Sequence, residues 1–168
     1  MISYRTFRND DPPKLLALWD RCFRGRGTGA VLNPFFLDSY LLAKPYFRRD
    51  ALLLAEEDNE VIGFILTGFA PTSDETALQK KTGIICLLGV HPAHRQKGIG
   101  SELLRRGEQF LTQEGASEIF AGAQSPWNPY TFGVYGGSQS PGFLESDPDA
   151  SPFFHSQGYQ SSPPPLGM

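Results

Sequence analysis

The segment from residue 83 to residue 100 constrains the fold of this chain more than any other part of it. It starts with a nearly unbroken apolar run at 83–90, passes through the polar turn 91–95 (HPAHR) and ends in the glycine-rich stretch 96–100 (QKGIG). The apolar run predicts a strand buried on both faces, and the glycines predict the start of a helix. Because the first N–H groups of a helix lack intrahelical partners and carry partial positive charge, we expect an anion site here, best suited to a phosphate.

Two other phosphate-binding patterns can be tested against the same segment. A Walker-type loop requires G-x-x-x-x-G-K-[ST], and the chain contains no such string. A dinucleotide fingerprint requires a third glycine at the position that Leu103 occupies. Both patterns fail, which leaves R-x-x-G-x-G at 95–100 after a strand that ends in V-x-P. Arg95 and Lys97 add positive charge beside this turn.

This pattern is similar to the acyl-CoA signature of the GNAT acetyltransferase superfamily, and the order of predicted elements resembles that family over nearly the whole chain. The resemblance implies a mixed α/β (α+β) fold with a central, mostly antiparallel sheet, a splayed strand pair and flanking helices. Hydrophobic patterns and turn residues predict strands at 2–7, 51–55, 61–69, 83–90 and 118–121, and helices beginning at 10–13 and spanning 34–47, 98–114 and 148–158. A polar loop is expected at 71–82. The first helix is expected to begin with an acidic cap at 10–11, and its apolar residues follow at helical spacing: Leu15, Leu18, Trp19 and Cys22.

The resemblance also implies acetyl-CoA as cofactor and no metal. The backbone of residues 88–90 would pair with the pantetheine arm, and the amides of residues 96–101 would surround the pyrophosphate. Gly89 would ease the distortion where the strands splay. The residues assigned to the cofactor in this way are Leu88, Gly89, Val90, Arg95, Gln96, Lys97, Gly98, Ile99, Gly100, Ser101 and Asp147.

The last predicted helix departs from the family pattern. Asp147 stands where many members have a cofactor-contacting asparagine, and Phe154 replaces the tyrosine that commonly protonates the leaving thiolate. The family usually adds another strand after Gly158-Tyr159, whereas here only the proline-rich tail 161–168 remains beyond a single domain at 1–160. Either the chain is cut short or a strand comes from elsewhere. These departures support the alternative of a non-catalytic acyl-CoA-binding module, half of a larger protein.

The favoured function is an N-acetyltransferase that moves acetyl from acetyl-CoA to a small or peptidyl amine by direct attack. The amine must first lose a proton, and a backbone N–H near residues 88–90 would stabilise the oxyanion. Tyr135 is the best single candidate on the substrate side, and Glu57 is the second catalytic candidate. Both have plain structural alternatives: Tyr135 as a packing aromatic and Glu57 as a solvated hairpin end.

Several other residues are candidates for the same chemistry. Glu56 points to the opposite face from Glu57, and His91 and His94 lie in the signature turn. The aromatic loop from residue 127 to residue 143 is expected to close over the acceptor. The candidates to replace the missing tyrosine acid are Tyr130, Tyr135, His155, Tyr159 and water. The candidates for an acceptor wall are Trp127, Tyr130 and Phe132.

Length, charge and cysteine content limit the number of domains, the classes of partner and the cellular compartment that we expect. Its 168 residues suggest one domain, and a net charge of −3 argues against a general nucleic-acid binder. Arg21, Arg24 and Arg26 remain candidates for phosphate contacts. Cys22 and Cys86 allow one disulfide but not a framework of several, and Cys86 is expected to be buried. With neither a signal peptide nor a membrane-spanning stretch, we expect a cytoplasmic protein, with a homodimer as one candidate assembly.

Overall fold

One five-stranded sheet organises the computed structural model, which describes residues 1–23, 33–124, 126–130, 134–135 and 141–161. The strands are β1 (Ser3–Thr6), β2 (Leu52–Glu57), β3 (Glu60–Pro71), β4 (Leu78–Val90) and β5 (Glu118–Ala121). The helices are α1 (Pro12–Cys22), α2 (Pro34–Leu37), α3 (Ile99–Gln113) and α4 (Ala150–Ser156). None of the helices in these ranges has the length and apolar character needed to cross a bilayer.

The strands lie side by side in chain order. Strands β1 to β4 pair with antiparallel neighbours, and only β4 and β5 run parallel. The parallel pair is possible because α3 connects β4 to β5 across one face of the sheet. This mixed, mostly antiparallel sheet confirms the fold class predicted from the sequence.

Each face of the sheet carries its own apolar cluster. Helices α1 and α2 cover one face with a cluster that includes Trp19, Leu41 and Phe64, which we call the first cluster. Helices α3 and α4 cover the other face with the second cluster, which includes Leu103 and Phe154. The predicted inward positions of α1 are confirmed, since all four are buried: Leu15, Leu18, Trp19 and Cys22.

A β-bulge in β4 sets the position where the sheet opens. Ile85 pairs with Thr67 and Leu87 pairs with Leu66, so Cys86 has no opposite residue on β3. Cys86 and Leu87 therefore both turn to the first cluster, although neighbouring strand residues normally alternate. Strand β5 pairs with β4 only as far as Ile85. Beyond the bulge, β4 has no strand on its β5 side in the described residues, so the two strands part there.

Three predicted boundaries were wrong. Residues 71–82 were expected to form a loop, but β4 already begins at Leu78 because its polar first residues still pair with the end of β3. The helix expected over 34–47 is α2 plus the π-helical turn Asp38–Leu42, and Pro45 prevents its extension. Helix α4 begins at Ala150, two residues later than Pro148.

The acidic start of α1 also differs from expectation. Asp11 stands at the N-cap position, but its side chain makes no capping bond. Both of its carboxylate oxygens instead accept hydrogen bonds of 2.8 Å from Arg5, whose guanidinium also binds Glu56. Asp11 is fully buried, so this pairing is what allows its charge inside the fold. The network ties β1, α1 and β2 together.

Candidate functional site

A cavity of about 830 Å³ lies where β4 runs past the end of β5. Its walls come from the last turn of α1, the end of β4, the turn that follows β4, the first turn of α3, and α4 with the segment before it. Leu88, Gly89 and Val90 all line it. The cavity therefore borders the part of β4 that, in the described residues, has a strand on its β3 side only.

Packing, rather than flexibility, explains the glycine in this part of β4. A Cβ atom on Gly89 would lie 2.7 Å from Cε1 of Phe64 and 3.1 Å from Cζ of Phe23. No larger residue fits without moving the aromatic rings of the first cluster. The bulge at Cys86 lies three residues earlier, next to Ile85, where the pairing of β4 with β5 ends.

The start of α3 presents unpaired amides to the cavity. Gly98 adopts a left-handed conformation (φ +80°), which glycine reaches without steric cost. The N–H of Glu102 donates to the carbonyl of Gly98, so the amides at 99–101 precede the first bond of the helix. No atom lies within 4 Å of the position a Cβ would take on Gly98. This arrangement of amides, positive helix end and free space suits an anionic group.

The five predicted contact residues of this turn that line the cavity are Gln96, Gly98, Ile99, Gly100 and Ser101. Lys97 is exposed and is not among the lining residues. Arg95 lines the cavity, but its guanidinium is used within the protein. It donates to the carbonyls of Val90 (3.0 Å) and Cys22 (3.1 Å) and to the carboxylate of Asp149 (3.3 Å). Arg95 thus joins β4, α1 and α4 around the cavity.

Asp147 links the cavity wall to a buried tyrosine. It lines the cavity, and its Oδ1 accepts from the N–H groups of Asp149 (2.9 Å) and Ala150 (3.0 Å) at the start of α4. Its Oδ2 accepts from the hydroxyl of Tyr135 at 2.5 Å. Burial raises the pKa of the Tyr135 hydroxyl above its ordinary value, and the bond to Asp147 raises it further. Tyr135 is 8% exposed and holds Asp147 in place.

Comparison with known proteins identifies this arrangement. Residues 13–136 match the acetyltransferase (GNAT) family. The chain belongs to the GNAT acetyltransferase family. It is 31% identical over 119 residues to an acetyltransferase of Sodalis glossinidius, covering 70% of this chain and 72% of the relative. A relative from Photorhabdus laumondii, also named an acetyltransferase, is 32% identical over 123 residues, with the same shares covered.

Solved structures show the same GNAT fold. A GNAT acetyltransferase from Brucella melitensis in complex with acetyl-CoA superposes with a TM-score of 0.59 at 23% identity, covering 86% of this chain and 89% of that chain. An aminoglycoside acetyltransferase from a soil metagenomic sample, in complex with trehalose, gives a TM-score of 0.65 at 18% identity, covering 99% and 93%. Identities this low establish the fold alone.

GNAT enzymes use acetyl-CoA, and the cavity fits this molecule. The unpaired amides of α3 suit its diphosphate, and the unpaired stretch of β4 suits the amide groups of its pantetheine arm. No group of three or more histidine, cysteine or acidic side chains in the described residues forms a metal site.

Phe154 of this GNAT protein lies on the cavity wall, where the resemblance placed it. Its ring stacks on Phe143 at 4.7 Å and meets Phe153 and Tyr159 edge-on at 5.2 and 5.4 Å. The side chain is buried and has no polar atom. It therefore shields this wall from water and contributes no proton.

The second catalytic candidate, Glu57, lies at the end of the β2–β3 hairpin. Its Oε2 is 3.3 Å from Nε2 of His94, which lines the cavity in the turn before α3. The buried Nδ1 of His94 has no hydrogen-bond partner in the described part of the chain. At about 3.3 Å per residue, the end of β4 is roughly 13 Å from the bulge at Cys86. Glu57 is thus near the α3 turn, far from the point where the strands part.

The remaining aromatic and acidic candidates lie elsewhere. Tyr130 is buried in the first cluster beside Tyr46, and Trp127 packs on Phe120 at 4.8 Å. The hydroxyl of Tyr159 donates to Glu108 at 2.7 Å. Glu56 binds Arg5, His155 is exposed beside Glu145, and His91 accepts from the N–H of Ala93. Phe132, Arg24 and Arg26 are outside the described residues.

Some cavity residues were not anticipated from the sequence. Cys22 and Phe23 line the cavity from the end of α1, and Phe153 lines it from the other side. Helical periodicity placed Cys22 inside the fold, but it gave no indication that α1 ends against β4. The pairing of Arg95 with the carbonyl of Cys22 produces that contact.

Proposed function

We propose that this GNAT acetyltransferase transfers the acetyl group of acetyl-CoA to a primary amine that attacks it directly. The observation that carries the proposal is the cavity itself, which runs from the unpaired amides of α3 along the stretch of β4 that has no described strand on its β5 side. When bound, acetyl-CoA supplies an activated acetyl thioester. The open end of the β4 stretch, at the bulge, is the point at which an amine can reach it.

The residues of the chain bind, orient and exclude water. The amides at 99–101 hold the diphosphate, and the N–H groups of β4 beyond Ile85 that point away from β3 are available to the pantetheine arm and to the thioester carbonyl. Phe143 and Phe154 keep water from the wall behind α4. The amine must arrive neutral, since an ammonium has no lone pair for attack.

We infer positioning roles for the two catalytic candidates. Tyr135 fixes Asp147, and Asp147 fixes the start of α4, so Tyr135 acts on the cavity through its wall. Its raised pKa makes it a poor proton donor to a thiolate, because thiols have a pKa of about 8.5. Glu57 orients His94 beside the α3 turn.

The acceptor is a small or peptidyl amine in this proposal. Aminoglycoside acetyltransferases among the structures of the same fold make aminoglycosides one class to include in a screen.

A cytoplasmic location is supported by two buried cysteines that remain unpaired, as is usual in a reducing compartment. The homodimer and the domain boundary at residue 160 stay predictions.

An amine screen tests the proposal. The full chain is incubated with acetyl-CoA and a panel of aminoglycosides, polyamines, amino acids and peptides, and free thiol is detected with a disulfide dye. We expect thiol release that depends on both the protein and one class of amine, with an acetylated product of matching mass. Tight binding of acetyl-CoA in calorimetry without turnover on any amine would favour the non-catalytic module instead.

A further inference from the structure

Among the charged side chains that the structure describes on the cavity wall, one arginine has no ion-pair partner. In the described residues, the acidic groups on the wall are Asp147 and Asp149, and the arginines are Arg21 and Arg95. Arg95 is paired with Asp149, and Asp147 accepts from Tyr135. Arg21 is exposed and makes no ion pair with any described residue. The signature arginine is therefore used for structure, and within the described part of the wall the unpaired positive charge is that of Arg21 on α1.

The contact between α1 and the signature turn brings Arg21 to the phosphate end of the cavity. Arg21 precedes Cys22, whose carbonyl accepts from Arg95 at 3.1 Å. Arg21 lines the same cavity as Gln96 and Gly98. Burial lowers the pKa of His91 in this turn, and the nearby charges of His94 and Arg21 lower it further. Arg21 is thus close enough to act electrostatically on groups at this turn.

Coenzyme A offers two kinds of phosphate to this end of the cavity. The diphosphate joins the ribose to the pantetheine arm, and its charge is spread over both phosphate groups, which suits a row of backbone amides. The 3′-phosphate is a separate terminal group on the ribose and carries up to two charges. A planar guanidinium on a long side chain suits such a terminal phosphate, since it can bind two oxygens at once.

We propose that Arg21 binds the 3′-phosphate of acetyl-CoA and thereby lets the protein distinguish acetyl-CoA from its 3′-dephospho form. The inference rests on acetyl-CoA binding in this cavity, as proposed above. The contact lies outside the R-x-x-G-x-G turn, at the C-terminal end of α1. It assigns to α1 the recognition of the nucleotide end of the ligand.

Titration calorimetry on the full chain with acetyl-CoA and with acetyl-3′-dephospho-CoA tests the proposal. The wild-type protein should prefer acetyl-CoA. Arg21→Ala should weaken acetyl-CoA binding about fivefold, the size of a favourable exposed ion pair, while acetyl-3′-dephospho-CoA changes less than about twofold. Arg21→Lys should retain part of the preference because it keeps the charge. Higher salt should reduce the wild-type preference.

Arg8→Ala is the matched control, since Arg8 is an exposed arginine that does not line the cavity. It should change neither affinity, and melting curves should show that α1 stays folded in every variant. Equal weakening of both ligands by Arg21→Ala, or no weakening of either, overturns the proposal. So does a wild-type protein that binds both ligands equally well. A wild-type protein that binds neither ligand overturns the proposed function as well.

Discussion

Gly98 offers a direct test of the anion site at the start of α3. Any replacement must adopt its left-handed backbone (φ +80°), which costs about 1 kcal/mol for most residues and less for asparagine and aspartate. No atom lies within 4 Å of the position that a new Cβ would take, so a side chain meets no clash. Gly98→Asn and Gly98→Asp therefore form a pair that differs by one charge and little else. For both we expect a fall in Tm of no more than about 4 °C.

The charge should separate the two variants in binding. A carboxylate about 6 Å from one phosphate charge, at an effective dielectric constant of about 20 to 40, is repelled by about 1–3 kcal/mol. The dissociation constant of Gly98→Asp for acetyl-CoA should therefore be at least about tenfold higher than that of Gly98→Asn. Calorimetry at low and high salt measures both values, and the difference should shrink as salt rises. Equal affinities in two folded variants would show that the ligand's charge lies away from α3.

Other substitutions and conditions examine the remaining walls of the site. Phe154→Tyr should keep acetyl transfer at an equal or higher initial rate, since it places a hydroxyl on the cavity wall; a large loss of turnover in a folded variant would contradict this. Tyr135→Phe should lower the free energy of unfolding by about 1–3 kcal/mol in thermal or urea denaturation, because Asp147 loses a buried donor; an unchanged value would show that the bond is unimportant. Burial raises the pKa of the Cys22 thiol to about 12 and that of Cys86 also above its usual value, so native protein should resist alkylation at pH 8 and react in denaturant. In the unfolded protein the thiols ionise at a lower pH than in the folded protein. The stability that their burial contributes should therefore be complete below about pH 8.5 and should decline as the pH rises towards 12, as measured by denaturation at a series of pH values.

Local sequence patterns predicted the elements that depend only on residues close together in the sequence. The apolar spacing of α1 identified Leu15, Leu18 and Trp19 as buried, and the structure confirms all three. The strand–turn–glycine segment located the start of α3 within one residue. These features follow from hydrophobic periodicity and from glycine's freedom to adopt positive φ.

Features that depend on a partner distant in sequence were not predictable in this way. The sequence predicts that Arg95 contacts phosphate. In the fold, the carbonyl of Cys22 and the carboxylate of Asp149 lie beside it and accept its hydrogen bonds. From the sequence, Glu56 and Glu57 are equivalent residues at the end of a hairpin. In the structure, Glu56 binds Arg5 and Glu57 lies against His94. The unmatched residue at Cys86 has no local sequence signature, because only the pairing with β3 makes it an extra residue.

The bulge also determines which kinds of sequence change this protein tolerates. Deleting Cys86 would join Ile85, which faces the second cluster, directly to Leu87, which faces the first, so the β3–β4 ladder would become regular. Leu88 and Val90, which line the cavity and belong to the second cluster, would keep their faces, but the bend that the bulge introduces before them would be lost. Substitution of Cys86 by another small apolar residue preserves the strand's length and leaves these two side chains in place. Relatives that retain the opened sheet should therefore keep the extra residue at this position of β4, whatever small apolar residue fills it.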